Sequence, residues 1–223
     1  MRSTTAQRAE AVTQAVLDLI ISGDFKTGEW LRESEIARTL GVSRTPVRDA
    51  LRELAGAGVV VIEQHRGARV KSYSPEDIEE IYRTRALVES TVTAAAVPLL
   101  SGDNVDHLKS IAGRMRAEYA ESGSVSEVGR LNREFHAYIF VNSGGHPLAA
   151  TADHLLIPMV VTKVMHSYEE KRFLRSLDEH EDLIEAIERQ DPEWAEAIMR
   201  THILGGLSSF KKHLRLSSRL DSE

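Results

Sequence analysis

The sequence predicts a mostly α chain in two parts. Residues 1–73 read as a winged helix-turn-helix with a small β-hairpin, and residues 74–223 as an all-α six-helix bundle. Three observations carry this. A short amphipathic stretch, Glu33 to Leu40, leads through a Gly-containing turn into a second helical stretch that bears arginines. Two β-rich runs follow it, Gly58 to Glu63 and Gly67 to Lys71. Beyond Ser74 no strand pattern appears, only apolar residues at helical spacing between capping and breaking residues.

Residues 1–5 are expected to be loose. Ala6 to Ser22 reads as a helix with Ala9, Val12, Val16, Leu19 and Ile20 on its buried side, ended by Gly23. Phe25 and Leu31 bracket a loop. Ile36, Ala37 and Leu40 make one face of the next helix. Gly41 is suited to the left-handed conformation that closes it. Ser43 is positioned to cap the following helix with its hydroxyl, and Pro46 falls in its first turn, where a missing N–H costs little. Val47, Ala50, Leu51 and Leu54 form the apolar face, while Arg44, Arg48 and Arg52 run down a neighbouring one. Gln64-His65-Arg66 is the basic turn of the hairpin. A charged stripe is usually just a solvated face. Here the preceding helix and turn, and the wing behind, favour a helix that carries guanidinium and hydroxyl groups to base edges and phosphates.

Ser74-Pro75-Glu76-Asp77 combines a capping serine, a proline at the first helical position and acids in the first turn. It opens a helix to about Val97, stopped by Pro98. Asp103 to Glu121 is the second helix of the bundle. Ser124 to Glu127 is a capping box for the third, which ends near Asn142 to Gly145. Pro147 opens a fourth that Pro158 should kink. Lys171 to Arg189 is a fifth, and Asp191-Pro192-Glu193 caps a sixth running to about Leu214, with Ser217 to Glu223 frayed.

Composition bounds the chemistry. With 42% hydrophobic and 28% charged residues, the chain is ordinary for a globular protein. It has no cysteine, so disulfides, thiolate zinc sites and cysteine catalysis are excluded. No stretch looks like a signal peptide or a membrane span, so a cytoplasmic location with no membrane partner is expected. Residues 1–72 hold 11 Lys+Arg against 9 Asp+Glu, and the remainder 17 against 25; +2 and −8 reproduce the net charge of −6. The asymmetry supports two domains with different partners.

From about Val12 to Val70 the chain resembles the GntR family of bacterial transcription regulators. The resemblance rests on Gly28-Glu29-Trp30-Leu31-Arg32-Glu33, Ile36-Ala37, the run Leu40 to Arg48, Ala50-Leu51, Leu54, Gly58 and Gly67. It implies binding to double-stranded operator DNA through Arg32, Ser43, Arg44, Thr45, Pro46, Arg48 and Arg52, and through His65, Arg66 and Gly67 of the wing. A homodimer would read the two halves of a palindromic site.

The second part resembles the FCD effector-binding domain of one large GntR branch, the FadR branch. A count of six helices points to its VanR-like subgroup. The carrying residues are Arg85 with Glu89, Asn132 to His136, Glu179-His180 with Ala186-Ile187, and Asp191 with Ala195, Met199 and His202. Asn132 and His136 are one helical turn apart and share a face. An amide oxygen and three imidazoles from several helices suit a divalent transition metal, zinc or nickel first. Any one histidine alone is more often an ordinary bonded side chain; the match of His136, His180 and His202 to the family's metal ligands reverses that for the set. Asn132 departs from the more usual aspartate and leaves the metal more positive by one charge. Arg85 is implied as the fork for a small carboxylate effector; spacing alone allows equally a surface ion pair with Glu89. His107, His146, His154, His166 and His213 have no such support.

The favoured function is therefore a DNA-binding regulator modulated by a small organic acid at a metal site, not an enzyme. The alternative is a metal-dependent hydrolase or oxygenase with a fused DNA-binding domain. Against it, no glutamate stands beside the histidines as in a His-Glu-x-x-His helix.

Overall fold

The alternation of apolar runs and glycine stops folds as anticipated in the N-terminal part, with one added strand. A computed structural model describes residues 4–64 and 66–220 and divides into two units, Met1–Tyr73 and Ser74–Glu223. In the first, α1 (Thr4–Ile21), α2 (Glu33–Leu40) and α3 (Arg44–Gly56) bury one face each, through Val16, Leu17, Ile20, Ile36, Val47 and Leu51. Gly41 ends α2 with φ 65° and returns its N–H to the last turn. Ser43 takes the cap backbone conformation, but its hydroxyl makes no capping bond, contrary to expectation. It is exposed instead.

β2 (Val60–Glu63) and β3 (Gly67–Val70) pair antiparallel, Glu63 opposite Gly67, and Gly67 takes φ 100°. The stretch expected as a loop between Phe25 and Leu31 contains β1 (Trp30–Leu31), which pairs with β3 and puts β3 at the centre of the sheet. Two residues are too few to display a period of two.

In the second unit, α4 (Pro75–Ala96) starts from a full capping box: Asp77 N–H donates to Ser74 Oγ, and Ser74 N–H to the Asp77 carboxylate. A short 3₁₀ turn at Val97–Leu99 follows. α5 (Asp103–Glu121) and α6 (Val125–Val141) lie side by side. The expected kinked fourth helix is two helices, α7 (Ala149–Leu155) and α8 (Pro158–His166). Proline lacks an N–H and crowds the carbonyl four residues back, so Pro158 starts a helix rather than bending one. α9 (Glu170–Glu188) and α10 (Pro192–Leu220) complete the unit, with Asp191 accepting from the Trp194 N–H at the start of α10. The described unit thus has seven α-helices, not six, and α10 continues past the expected end at Leu214. The VanR-like subgroup, inferred from six, loses its basis. α4 packs mainly on α10, and Phe135, Ile139, Met115, Leu108, Ile187 and Met199 fill the core. Among the described residues no helix is long and apolar enough to cross a membrane.

Candidate functional site

α6, α9 and α10 each carry one histidine into this core. His136 follows Phe135 on the buried face of α6; His180 and His202 sit on the inward faces of α9 and α10. Their ring centroids stand 4.7 Å (His180–His202), 5.3 Å (His136–His202) and 5.6 Å (His136–His180) apart. One ring nitrogen from each lies within 4.8 Å of the others. The other histidines named above stay outside this group.

The Nδ1 partners determine which nitrogen faces inward. His180 Nδ1 lies 2.7 Å from the Ser176 carbonyl, which can only accept, so Nδ1 carries the proton. His136 Nδ1 is 2.8 Å from Glu89 Oε2, and His202 Nδ1 2.9 Å from Glu179 Oε2. Both carboxyls are held below the usual range. At Glu89 burial pushes the group up, and the Arg85 charge with the His136 bond outweighs it. At Glu179 burial is outweighed by the bonds from His202 and Arg172, which hold it at about 2. An ionised carboxylate only accepts, so these rings also donate from Nδ1. A neutral ring with Nδ1 protonated presents Nε2 as a lone pair.

The surroundings of His180 and His202 favour neutral rings. Burial, then the neighbouring His202 and His136, push His180 well below its ordinary value. Burial lowers His202 to about 4, against the pull of Glu179. His136 Nε2 and His180 Nε2 are buried with no hydrogen-bond partner. An orphaned buried polar atom costs about 1–3 kcal/mol, so two at one point need an explanation. Converging imidazole nitrogens suit a borderline divalent cation, the donor set of tetrahedral zinc or of nickel. The residues therefore fit the metal that the FCD resemblance implies.

Arg85 does not sit on the helix surface. It is 3% exposed, its partner Glu89 is fully buried, and Nε donates to Glu89 Oε1 at 2.5 Å. Its guanidinium lies 4.7 Å from the centre of the Tyr82 ring. Asn132, buried one turn before His136, lines a cavity together with Tyr82, Arg85, Tyr168, Ser176 and His202. The enclosed space is about 10 Å³, room for one water-sized group.

A second arginine of the site, half-buried, was not legible in the sequence. Arg172 on α9 makes two parallel bonds to Glu179, of 2.8 and 2.9 Å, donates to the His202 carbonyl at 3.0 Å, and lies over the Tyr168 ring. Gly205 and Gly206 of α10 admit this group: a Cβ on Gly205 would stand 2.9 Å from the guanidinium carbon, and one on Gly206 would collide with the Tyr168 hydroxyl. The Arg85–Glu89 spacing was visible in the sequence, but not its burial. Glu179 adjoins His180 in sequence yet serves His202, a pairing that local spacing does not reveal.

In the first unit Arg32, Ser43, Arg44, Thr45, Arg48, Arg52, Arg66 and Gly67 are exposed, and Pro46 is half-buried. Arg44 reaches Glu33 at 3.3 Å, Arg52 reaches Asp49 at 3.3 Å, and Arg66 reaches Glu63 at 3.6 Å. Solvated pairs of this kind are weak and can be given up to phosphate. Val47, Ala50, Leu51 and Leu54 point the other way, into the core. His65 lies outside the described residues.

A winged helix-turn-helix unit followed by an all-helical unit with a buried histidine triad is the build of a DNA-binding regulator. The family model for bacterial regulatory proteins of the gntR family matches residues 8–70, and the FCD domain model matches residues 80–205. The chain belongs to the GntR family of transcription regulators, in the branch that carries an FCD domain. It is 31% identical to the gluconate operon transcriptional repressor of Bacillus subtilis over 180 residues, 77% of this chain and 72% of that one. It is 28% identical to a probable D-xylose utilization operon transcriptional repressor of Paenarthrobacter nicotinovorans over 204 residues, 91% of this chain and 88% of that one. Escherichia coli McbR/YncC shares the fold, with a TM-score of 0.77 at 20% identity over 96% of this chain and 100% of that one.

Proposed function

We propose that this regulator works as a homodimer on a palindromic operator and responds to a small carboxylate bound at a metal site in its helical domain. The proposed ligands are His136, His180 and His202, with Asn132 completing or bordering the site. The observation that carries the metal is the pair of buried, partnerless Nε2 atoms aimed at one point. A bound divalent ion would supply positive charge that attracts an anion. An imidazole ligates through an unprotonated, neutral nitrogen, and each nearby carboxylate is already balanced by an arginine.

That balance also favours a regulator over a hydrolase. Glu89 and Glu179 spend their oxygens on Arg85, Arg172 and the two Nδ1–H groups, so neither stands ready as a general base. The proposed effector contact of Arg85 changes in kind: its guanidinium is shared with Glu89 rather than free. The cavity beside it takes only a water-sized group. A larger acid must move Arg85 or the tyrosines, and that movement gives it a preference between conformations, without which binding shifts nothing.

DNA contact is proposed for the exposed start of α3 and for the wing, Arg44, Thr45, Arg48 and Arg66 foremost. The experiment is metal analysis of wild type and His180→Ala, followed by operator binding and melting screens against organic and sugar acids. One ion per chain, lost in the variant, and an acid that changes DNA affinity are the expected results. Unchanged metal content in His180→Ala removes the site. Light scattering tests the dimer, and a monomer at operator-binding concentrations overturns it.

A further inference from the structure

The histidines are oriented by two matching chains of side chains. One runs Arg85 Nε to Glu89 Oε1 (2.5 Å) and Glu89 Oε2 to His136 Nδ1 (2.8 Å). The other runs Arg172 to both oxygens of Glu179 (2.8 and 2.9 Å) and Glu179 Oε2 to His202 Nδ1 (2.9 Å). Each arginine also stacks on a tyrosine, Arg85 on Tyr82 and Arg172 on Tyr168. His180 has no such chain; a helix carbonyl holds it. Burying a carboxylate against a histidine alone would be costly. The arginines remove that cost and leave each trio with a single histidine free to ligate.

We infer that Glu89 and Glu179, anchored by the buried Arg85 and the half-buried Arg172, are positioning residues that hold His136 and His202 in the Nδ1–H form and aim their Nε2 atoms at a divalent metal. The inference rests on the metal reading above. A carboxylate can only accept, so it admits one tautomer. A glutamine of the same shape can accept or donate, so it releases the ring to either. Partners that orient ligating histidines are commonly worth 10–100-fold in metal affinity. The two chains also meet: Arg85 of the first and His202 of the second line the same small cavity.

The test uses full-length, metal-free protein titrated with zinc or nickel against a competing chelator. Glu89→Gln and Glu179→Gln should each bind about 10–100-fold more weakly than wild type. Because Glu89→Gln strands a buried arginine, Arg85→Met with Glu89→Leu is tested beside it; it removes both charges together, should fold, and should show the same loss. Nitrogen-15 imidazole spectra of the metal-free protein supply a readout without metal. Wild-type His136 and His202 should show Nδ1–H, and the glutamine variants a mixture at the ring affected. Wild type binding metal while all three variants bind within about twofold of it, or wild-type rings carrying Nε2–H, overturns the inference and leaves the metal reading standing. Wild type failing to bind either metal overturns both.

Discussion

Gly205→Ala should destabilise the protein, although glycine-to-alanine inside a helix ordinarily stabilises it. Alanine gains about 0.8–1.0 kcal/mol in helix propensity. Against that, the new Cβ would stand 2.9 Å from the Arg172 guanidinium carbon and 3.0 Å from both terminal nitrogens. The end of an arginine usually swings aside at little cost. This one is tied by two bonds to Glu179 and one to the His202 carbonyl. Moving it gives up at least one charge-assisted bond, about 1.5–3 kcal/mol. The net loss is about 0.5–2 kcal/mol, or a few degrees in melting temperature at about 2–4 °C per kcal/mol for a chain of this size. Gly113, also inside a helix, has nothing within 4 Å of such a Cβ. Gly113→Ala should therefore gain about 1 kcal/mol and serves as the control. Denaturant unfolding of the metal-free variants measures both. If Gly205→Ala is stabilised as much as Gly113→Ala, Arg172 is not pinned.

Three further outcomes follow from the same geometry. Acid should weaken the metal-free fold: His202 is lowered to about 4 and His180 well below its ordinary value, so between pH 6.5 and about 4 the unfolded chain takes up protons that the folded one refuses. Stability is full above pH 6.5 and falls below it, by about 2 kcal/mol at pH 5 from His202 alone; urea unfolding that is unchanged between pH 7 and 5 contradicts this. Arg85→Ala strands the fully buried Glu89 and should cost about 3–5 kcal/mol, with weaker metal binding; a loss under about 1 kcal/mol would show the pair to be solvated. Arg48→Ala should cost about 1–3 kcal/mol of specific operator binding, whereas Arg66→Ala should weaken binding evenly across sequences; a salt titration on specific and random DNA separates the two.

The sequence by itself determined what is local. Gly41, the apolar set from Val47 to Leu54, the Gly67 turn and the Ser74 capping box each specify their element through backbone preference or periodicity within a few residues. Those elements appear in place. The three histidines were also legible, through a resemblance that spans separate helices. What only the tertiary structure decided is non-local. β1 exists because β3 supplies its hydrogen bonds. The Arg85–Glu89 spacing looks the same on a surface as in a core; packing against α6 and α10 buried it. Arg172, Glu179 and His202 come from two helices, and their grouping depends on Gly205 and Gly206 letting a guanidinium and a phenol approach the α10 backbone. A hydrogen bond between groups far apart in sequence leaves no periodicity behind, so this half of the site becomes visible only when the helices are packed.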